Sequence, residues 1–465
     1  MVTEIQPNGI GLGKVQLSDL GTEVDFASML PYVKGREDFE VLLRYPRVLR
    51  KGQPIEANGF KTHSMMSRSL ALQEELQDDI FYKGVSNLYT ALFSDHPLLI
   101  SYPPDLIWLG RENGLEAWES SLRRVLPNTD LGLDDSATNE TIDLVRSLVI
   151  NFARNYGFWR SVVKTLVPQS EAGERGNRQR ELLSRIVLDW SIQNAVDSKA
   201  RWMAGLTPII DGYNPGSTML SHRFNIAYGS LVSARIDQGL TTPAYLYTMN
   251  LNSTMFPDKW TSLLSNVVNN AKLALNDAMY DGMHVSVRHL DLISLSTGRV
   301  DTLMMLMKEL KKVANYFNVP VWWSRLGPPG FAALDEGASF ASFPMNNNTG
   351  DVYAEGGSGN KVDQYGKIFN PVNRTRWTVT RVIASIHGPE GGMPPLSAYW
   401  DRPRPSEEEL ASPWNYRVNF SKPYTVAAIN GLFDQWLENV RAGETSPGRS
   451  YLEYAEPTYT SWGPR

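Results

Sequence analysis

Between Met283 and Asn346 the apolar positions change period several times, and each change predicts a new element. In HVSVRHLDLISL they alternate, which is the period of a half-buried strand. In GRVDTLMMLMKELKKVANYFN they recur at helical spacing: Val300, Leu303, Met304, Leu306, Met307, Leu310, Val313, Ala314 and Phe317 form one stripe. Lys308, Lys311 and Lys312 lie on the opposite face. Asn318 before Val319-Pro320 stops this helix, because a residue preceding proline is pushed out of the α region. VPVWWS then predicts a strand, Gly327-Pro328-Pro329-Gly330 a turn into a short helix from Phe331, and Gly337 its end. ASFASFPMN closes the stretch as another strand. Strand, helix and strand in this order are βα units feeding a parallel sheet.

The same alternation extends backwards. LTPIIDGY (206–213) and PAYLYTMN (243–250) predict strands, separated by helices around His222–Gln238 and Asp258–Met279. That makes five strands from Leu206 to Pro344. A sixth is expected at Leu98–Leu109 and a seventh near Pro54–His63. Helical stripes are expected over Ser64–Ser94, Leu115–Leu126, Glu140–Leu166 and Glu181–Trp202, with a polar linker at Gln169–Gln179. The pattern supports a (βα)8-type barrel with an irregular first half and extra helices; the alternative is a doubly wound open parallel sheet. The expected division is an N-terminal arm and helical region over 1–95, a barrel core over 96–346, and a Gly-rich loop with a C-terminal extension over 347–465. The extension includes a helix at Thr425–Arg441 and an aromatic tail, YLEYAEPTYTSWGPR.

Composition narrows the function classes. A chain of 465 residues with 42% hydrophobic and 20% charged residues is an ordinary globular composition with a large core. A net charge of −5 gives no global electrostatic case for nucleic acid or an anionic membrane. The most basic cluster, Arg44, Arg47, Arg50 and Lys51, reads as a solvated face or subunit contact. The absence of cysteine excludes disulfides, thiol catalysis and cysteine-based metal sites. No window reaches 18 apolar residues, and the first 21 residues lack the basic and apolar regions of a secretory signal. A cytoplasmic location is therefore the expectation. Gly9-Ile10-Gly11-Leu12-Gly13 has neither the preceding strand nor the following helix of a phosphate loop, and reads as an extended arm.

In a βα barrel the reactive groups stand at the C-terminal ends of the strands. That rule selects Asp211 and Tyr213, then Asn250, then Arg288, His289 and Asp291, then Trp323 and Arg325, and finally Asn346. Along the Met283 strand, His284, Ser286 and Arg288 share one face and Val285 and Val287 the other. The valine face should meet the helices, so Arg288 is expected to point into the barrel. Asp211, Asp291 and Arg288 are the candidate catalytic groups: two carboxylates across a barrel mouth suit glycosidic-bond chemistry, and an arginine suits an anion. Tyr213, Asn250, His289, Trp323, Arg325 and Asn346 are the candidate substrate contacts. No HxH or HExxH spacing supports a metal site, and no nucleophile elbow supports a Ser–His–Asp triad. No cofactor is assigned.

VWWSRLGPPGFAALDEGASFASFPMN resembles the closing strand–turn–helix–strand of tRNA-guanine transglycosylase-type barrels over about 30 residues. The resemblance implies a (βα)8 barrel. The zinc site of that family uses cysteine, which this chain lacks, and its early-strand aspartate motif has no counterpart here, so no catalytic residue is carried over. Two functions are expected from these readings. One is a barrel enzyme with a small-molecule ligand at its mouth, acting on a glycosidic or phosphorylated compound; the other is a non-catalytic barrel used in structure or assembly. A homo-oligomer is expected.

Overall fold

A computed structural model of the chain describes residues 19–24, 49–59, 96–102, 139, 188–189, 191–207, 209–213, 216–277, 279–288, 290, 297–344, 368–370, 375–377, 411 and 415–452. The helices expected at Ser64–Ser94, Leu115–Leu126 and Glu140–Leu166, the linker, His289, Asp291 and Asn346 lie outside the described residues.

The strands are β1 (Asp19–Val24), β2 (Ile55–Asn58), β3 (Leu98–Ser101), β4 (Trp202–Ala204), β5 (Ile209–Ile210), β6 (Ala244–Asn252), β7 (Gly282–Arg288), β8 (Val321–Ser324) and β9 (Phe340–Pro344). All their pairings are parallel, β1 joins β9, and β4 joins β6, so eight strands close into a barrel. Helices α1 (Gly216–Asp237), α2 (Ser262–Asn276), α3 (Thr297–Phe317) and α4 (Gly330–Asp335) fall between successive strands, as in a (βα)8 barrel. This is the expected architecture, and the open sheet is set aside. A separate antiparallel pair, β10 (Ile368–Asn370) and β11 (Thr375–Trp377), precedes helix α5 (Lys422–Arg441).

The first half of the barrel differs from expectation in three places. β1 lies in the stretch read as an aperiodic arm; it carries Gly21, where a Cβ would come within 3.0 Å of the Trp322 ring. β4 lies at the end of what reads as one long helix over Glu181–Trp202. The predicted strand at 206–213 reduces to β5, which pairs with β6 beyond the point where β4 pairs with it. One stave is thus laid down in two pieces, with Gly205 and neighbours between them. The barrel also begins well before residue 96, since β1 and β2 are two of its staves.

Alternation divides each strand between two cores. Tyr245, Tyr247, Met249 and Leu251 of β6, and Met283, Val285 and Val287 of β7, face the helices. The α3 stripe packs there as expected, and Asn318, with φ of 55°, ends that helix in the left-handed region before Val319-Pro320. Inside the barrel, Leu99, Trp202, Leu246, Trp322 and Phe340 form an apolar floor. Trp322 stacks on Phe340 at 4.6 Å between ring centroids and tilts against Trp202 at 5.7 Å. Each buried aromatic contributes about 2 kcal/mol or more, so the floor is a packed end and not a pore. Trp202 and Phe340 open their strands, which puts the floor toward the N-terminal end of the barrel.

At the barrel's flank, α4 is held by the C-terminal segment. Asp335 accepts hydrogen bonds from Trp436 Nε1 of α5 at 2.7 Å and from the Gly448 backbone N–H at 2.5 Å. Arg50, from the basic cluster, donates to both carboxylate oxygens of Asp434 and to the Asn430 carbonyl. That arginine is used within the chain, to tie the turn before β2 to α5.

Candidate functional site

Above the floor the barrel interior becomes polar, and its centre is Glu56. The carboxylate sits on β2 between Ile55 and Ala57, which face outward, so the two-residue period turns Glu56 inward. It is fully buried. Ser101 of β3 donates to Oε1 at 2.7 Å and Ser324 of β8 to the same oxygen at 2.5 Å. Trp322 Nε1 donates to Oε2 at 3.3 Å, and Ser342 of β9 donates a short hydrogen bond to Oε2. Two cationic or cationisable groups complete the cluster. Arg325 Nη2 stands 3.6 Å from Oε1 and donates to Ser101 Oγ at 2.8 Å. His284 Nε2 of β7 also stands 3.6 Å from Oε1, too long for a hydrogen bond.

The backbone at Arg325 explains how its side chain enters. By alternation the residue after Ser324 should face the helices. Arg325 instead has φ of 54°, a conformation that costs a non-glycine residue about 1 kcal/mol or more. Its backbone N–H donates to Ser342 Oγ at 2.6 Å, so the left-handed turn is held by a hydroxyl that also binds Glu56. The guanidinium thereby reaches the interior carboxylate.

Burial by itself pushes the Glu56 carboxyl up. Arg325, His284 and the Ser324 hydroxyl outweigh it and hold the group well below the ordinary glutamate value of about 4.5. Since the folded value is depressed, the stability it provides is fully present above the unfolded value and is lost as pH falls below it. Urea midpoints measured from about pH 6 to about pH 3 should therefore fall more steeply for the wild type than for Glu56→Gln. Parallel pH profiles for the two proteins would show that folding does not lower the Glu56 carboxyl below its ordinary value.

The sequence-selected residues distribute unevenly over this interior. Arg325 belongs to the Glu56 cluster. Asn250 faces inward and is saturated: its Nδ2 donates to the Thr207 carbonyl and hydroxyl, and its Oδ1 accepts from Ser286 Oγ at 2.6 Å. Arg288 ends β7 on the inward face, two positions beyond Ser286, and is buried. Asp211 serves the turn between β5 and α1: its Oδ1 accepts from Thr254 Oγ1 at 2.8 Å and from the Tyr213 N–H at 3.0 Å. The Tyr213 side chain is 86% exposed to solvent. Trp323 needs correction. It is paired with Val285, belongs to the outward core against the helices, and cannot contact a ligand in the barrel, whereas its neighbour Trp322 faces inward.

Glu56, Ser101, His284 and Ser342 are the residues the strand-end rule missed. Glu56 and His284 lie inside their strands, not at the ends, and the rule passes over such positions. The signal was present in IEAN and HVSVR, where a polar residue alternates with apolar neighbours. Among the described residues, no group of three His, Asp or Glu is arranged to hold a metal ion, and no helix is long and apolar enough to cross a membrane. Comparison with protein-family models and with curated protein sequences returns no match.

Proposed function

We propose that this chain is a (βα)8-barrel enzyme acting on a small polyhydroxyl or phosphorylated molecule, with glycosidic-bond chemistry included in that class. Its site is the C-terminal mouth of the barrel, directly above Glu56. The observation that carries this reading is the fully buried carboxylate that accepts hydrogen bonds from β3, β8 and β9 and faces His284 of β7. Burying such a charge costs several kcal/mol, and apolar residues of similar volume are often as stable or more so. A charge kept at this cost in the barrel interior, beneath the end where chemistry sits in this fold, supports a functional site. Arg288 adds a second guanidinium toward the mouth, which suits an anionic group on the ligand.

The aromatic-rich tail supports a homo-oligomer as part of the same reading. A purely structural barrel is the second reading, favoured by the four hydrogen bonds that satisfy Glu56. Thermal unfolding with a panel of monosaccharides, glycosides and sugar phosphates separates the two. A ligand at about 100 times its Kd should add about 2.7 kcal/mol and raise Tm by several degrees. The shift should be lost in Arg288→Gln. A panel that leaves Tm unchanged favours the structural barrel.

A further inference from the structure

Glu56 is poorly placed to take a proton from a substrate. A carboxylate offers about four acceptor directions, and Ser101, Trp322, Ser324 and Ser342 occupy four of them. His284 is in the opposite condition. It is only 2% exposed, it faces the barrel interior, and neither ring nitrogen has a hydrogen-bond partner among the described residues. Buried polar atoms without partners are few in native proteins, and each calls for an explanation, a water or a ligand group among them. On the same inward face of β7, exposure rises to 8% at Ser286 and 9% at Arg288, so the strand leads from His284 toward solvent at the mouth.

Building on the barrel-mouth enzyme proposed above, we infer that His284 is its proton-accepting catalytic residue and that Glu56 is the positioning residue behind it. Nε2 is the nitrogen turned to Glu56, at 3.6 Å from Oε1. A hydrogen on Nε2 faces the carboxylate, which leaves Nδ1 as a bare acceptor. The group that completes an acceptor is a donor, so the ligand class is a hydroxyl-bearing molecule such as a sugar; a fully ionised phosphate has no proton to offer. In the step, the substrate O–H bond breaks, its electron pair stays on oxygen, and the proton moves to Nδ1. Glu56 stays ionised and supplies the counter-charge to the imidazolium, as the carboxylate does in a carboxylate–imidazole–hydroxyl arrangement. The deprotonated oxygen is then the nucleophile, and the proton held on Nδ1 is available to return to oxygen when the step reverses.

The test uses full-length protein labelled with ¹⁵N-histidine, with the His284 ring signals identified by their loss in His284→Asn. The uncharged wild-type ring should be the Nε2–H tautomer. Methyl glucoside and glycerol should move its Nδ1 signal, and sulfate, an anion with no O–H near neutral pH, should not. Glu56→Gln should weaken the tautomer preference. If that variant does not fold, the wild-type tautomer and the probe titrations decide alone. An Nδ1–H tautomer overturns the assignment, as does an Nδ1 signal unmoved by either hydroxyl probe. If a sugar raises Tm while His284 stays unmoved, this role fails and the barrel-mouth function stands; if no compound raises Tm, both fail.

Discussion

Glu56→Ala is expected to lower stability by about 3–5 kcal/mol, the range seen when one partner of a buried ionic group is removed. The loss has three sources. Arg325 is left 3% exposed in the interior without the carboxylate that faces it. The hydroxyls of Ser324 and Ser342 and Nε1 of Trp322 lose their acceptor, each at a desolvation cost of about 1–3 kcal/mol if nothing replaces it. The cavity left by the side chain then adds a packing cost. Water can enter a polar cavity and recover part of this, so the sum of the parts exceeds the expected total. Urea denaturation at neutral pH measures it. A double variant, Glu56→Ala with Arg325→Ala, should be less destabilised than the two single changes added together, because the second removes the charge the first strands. Simple additivity would mean that the two groups do not interact across the barrel.

The same network ties stability to local geometry. Ser342 Oγ both donates to Glu56 and accepts from the Arg325 backbone N–H, so the left-handed turn after β8 and the carboxylate on β2 share one hydroxyl. Losing Glu56 therefore removes one constraint that keeps Arg325 in an unfavourable backbone conformation. Strain of this kind persists only where the surroundings over-determine it, and here the surroundings are residues drawn from β2, β3 and β9.

Where the chain shows long, regular periods, sequence and structure agree. The α3 stripe from Val300 to Ala314, the β7 alternation and the turn at Gly327–Gly330 are local patterns, and local patterns are legible. β4 and β5 were not. Three residues, Trp202–Ala204, are too few to show alternation, and only pairing with β3 and β6 makes them a strand. β1 carries Gly21 because Trp322, some 300 residues away, needs the space, and no local period encodes that contact. The site was half legible for the same reason. Strand ends can be guessed from sequence, which found Arg325, Arg288 and Asn250. The stagger between strands cannot, and it is the stagger that brings Glu56 of β2 level with His284 of β7 and Ser342 of β9. Trp323 and Trp322 show the cost: adjacent in sequence, they face opposite cores, and a four-residue strand leaves their order undecided until β7 pairs with it.

Gly448→Ala is the second large effect, and it tests how the C-terminal segment is fastened to the barrel. A Cβ at this position would lie 2.3 Å from both the carbonyl carbon and the carbonyl oxygen of Phe331. Those are backbone atoms of α4, so no side chain can rotate out of the way, and one of the two segments must shift. The segment 447–451 is also held by the Gly448 N–H on Asp335 and by Tyr451 against Phe331, at 4.8 Å between ring centroids. Burial, the largest influence on the Asp335 carboxyl, raises it above the usual aspartate value, and bonds from Trp436 and Gly448 counter only part of that rise. Moving Gly448 away takes one of those donors from a half-buried acid. The expected cost is about 3 kcal/mol, at the upper end for overpacking, because the clash is with backbone on both sides. Limited proteolysis discriminates the mechanism: cleavage within 442–447 should accelerate while sites inside α3 remain protected. Uniform acceleration across α3 and the C-terminal segment would instead mean that the fastening of α4 and the barrel itself unfold as one unit.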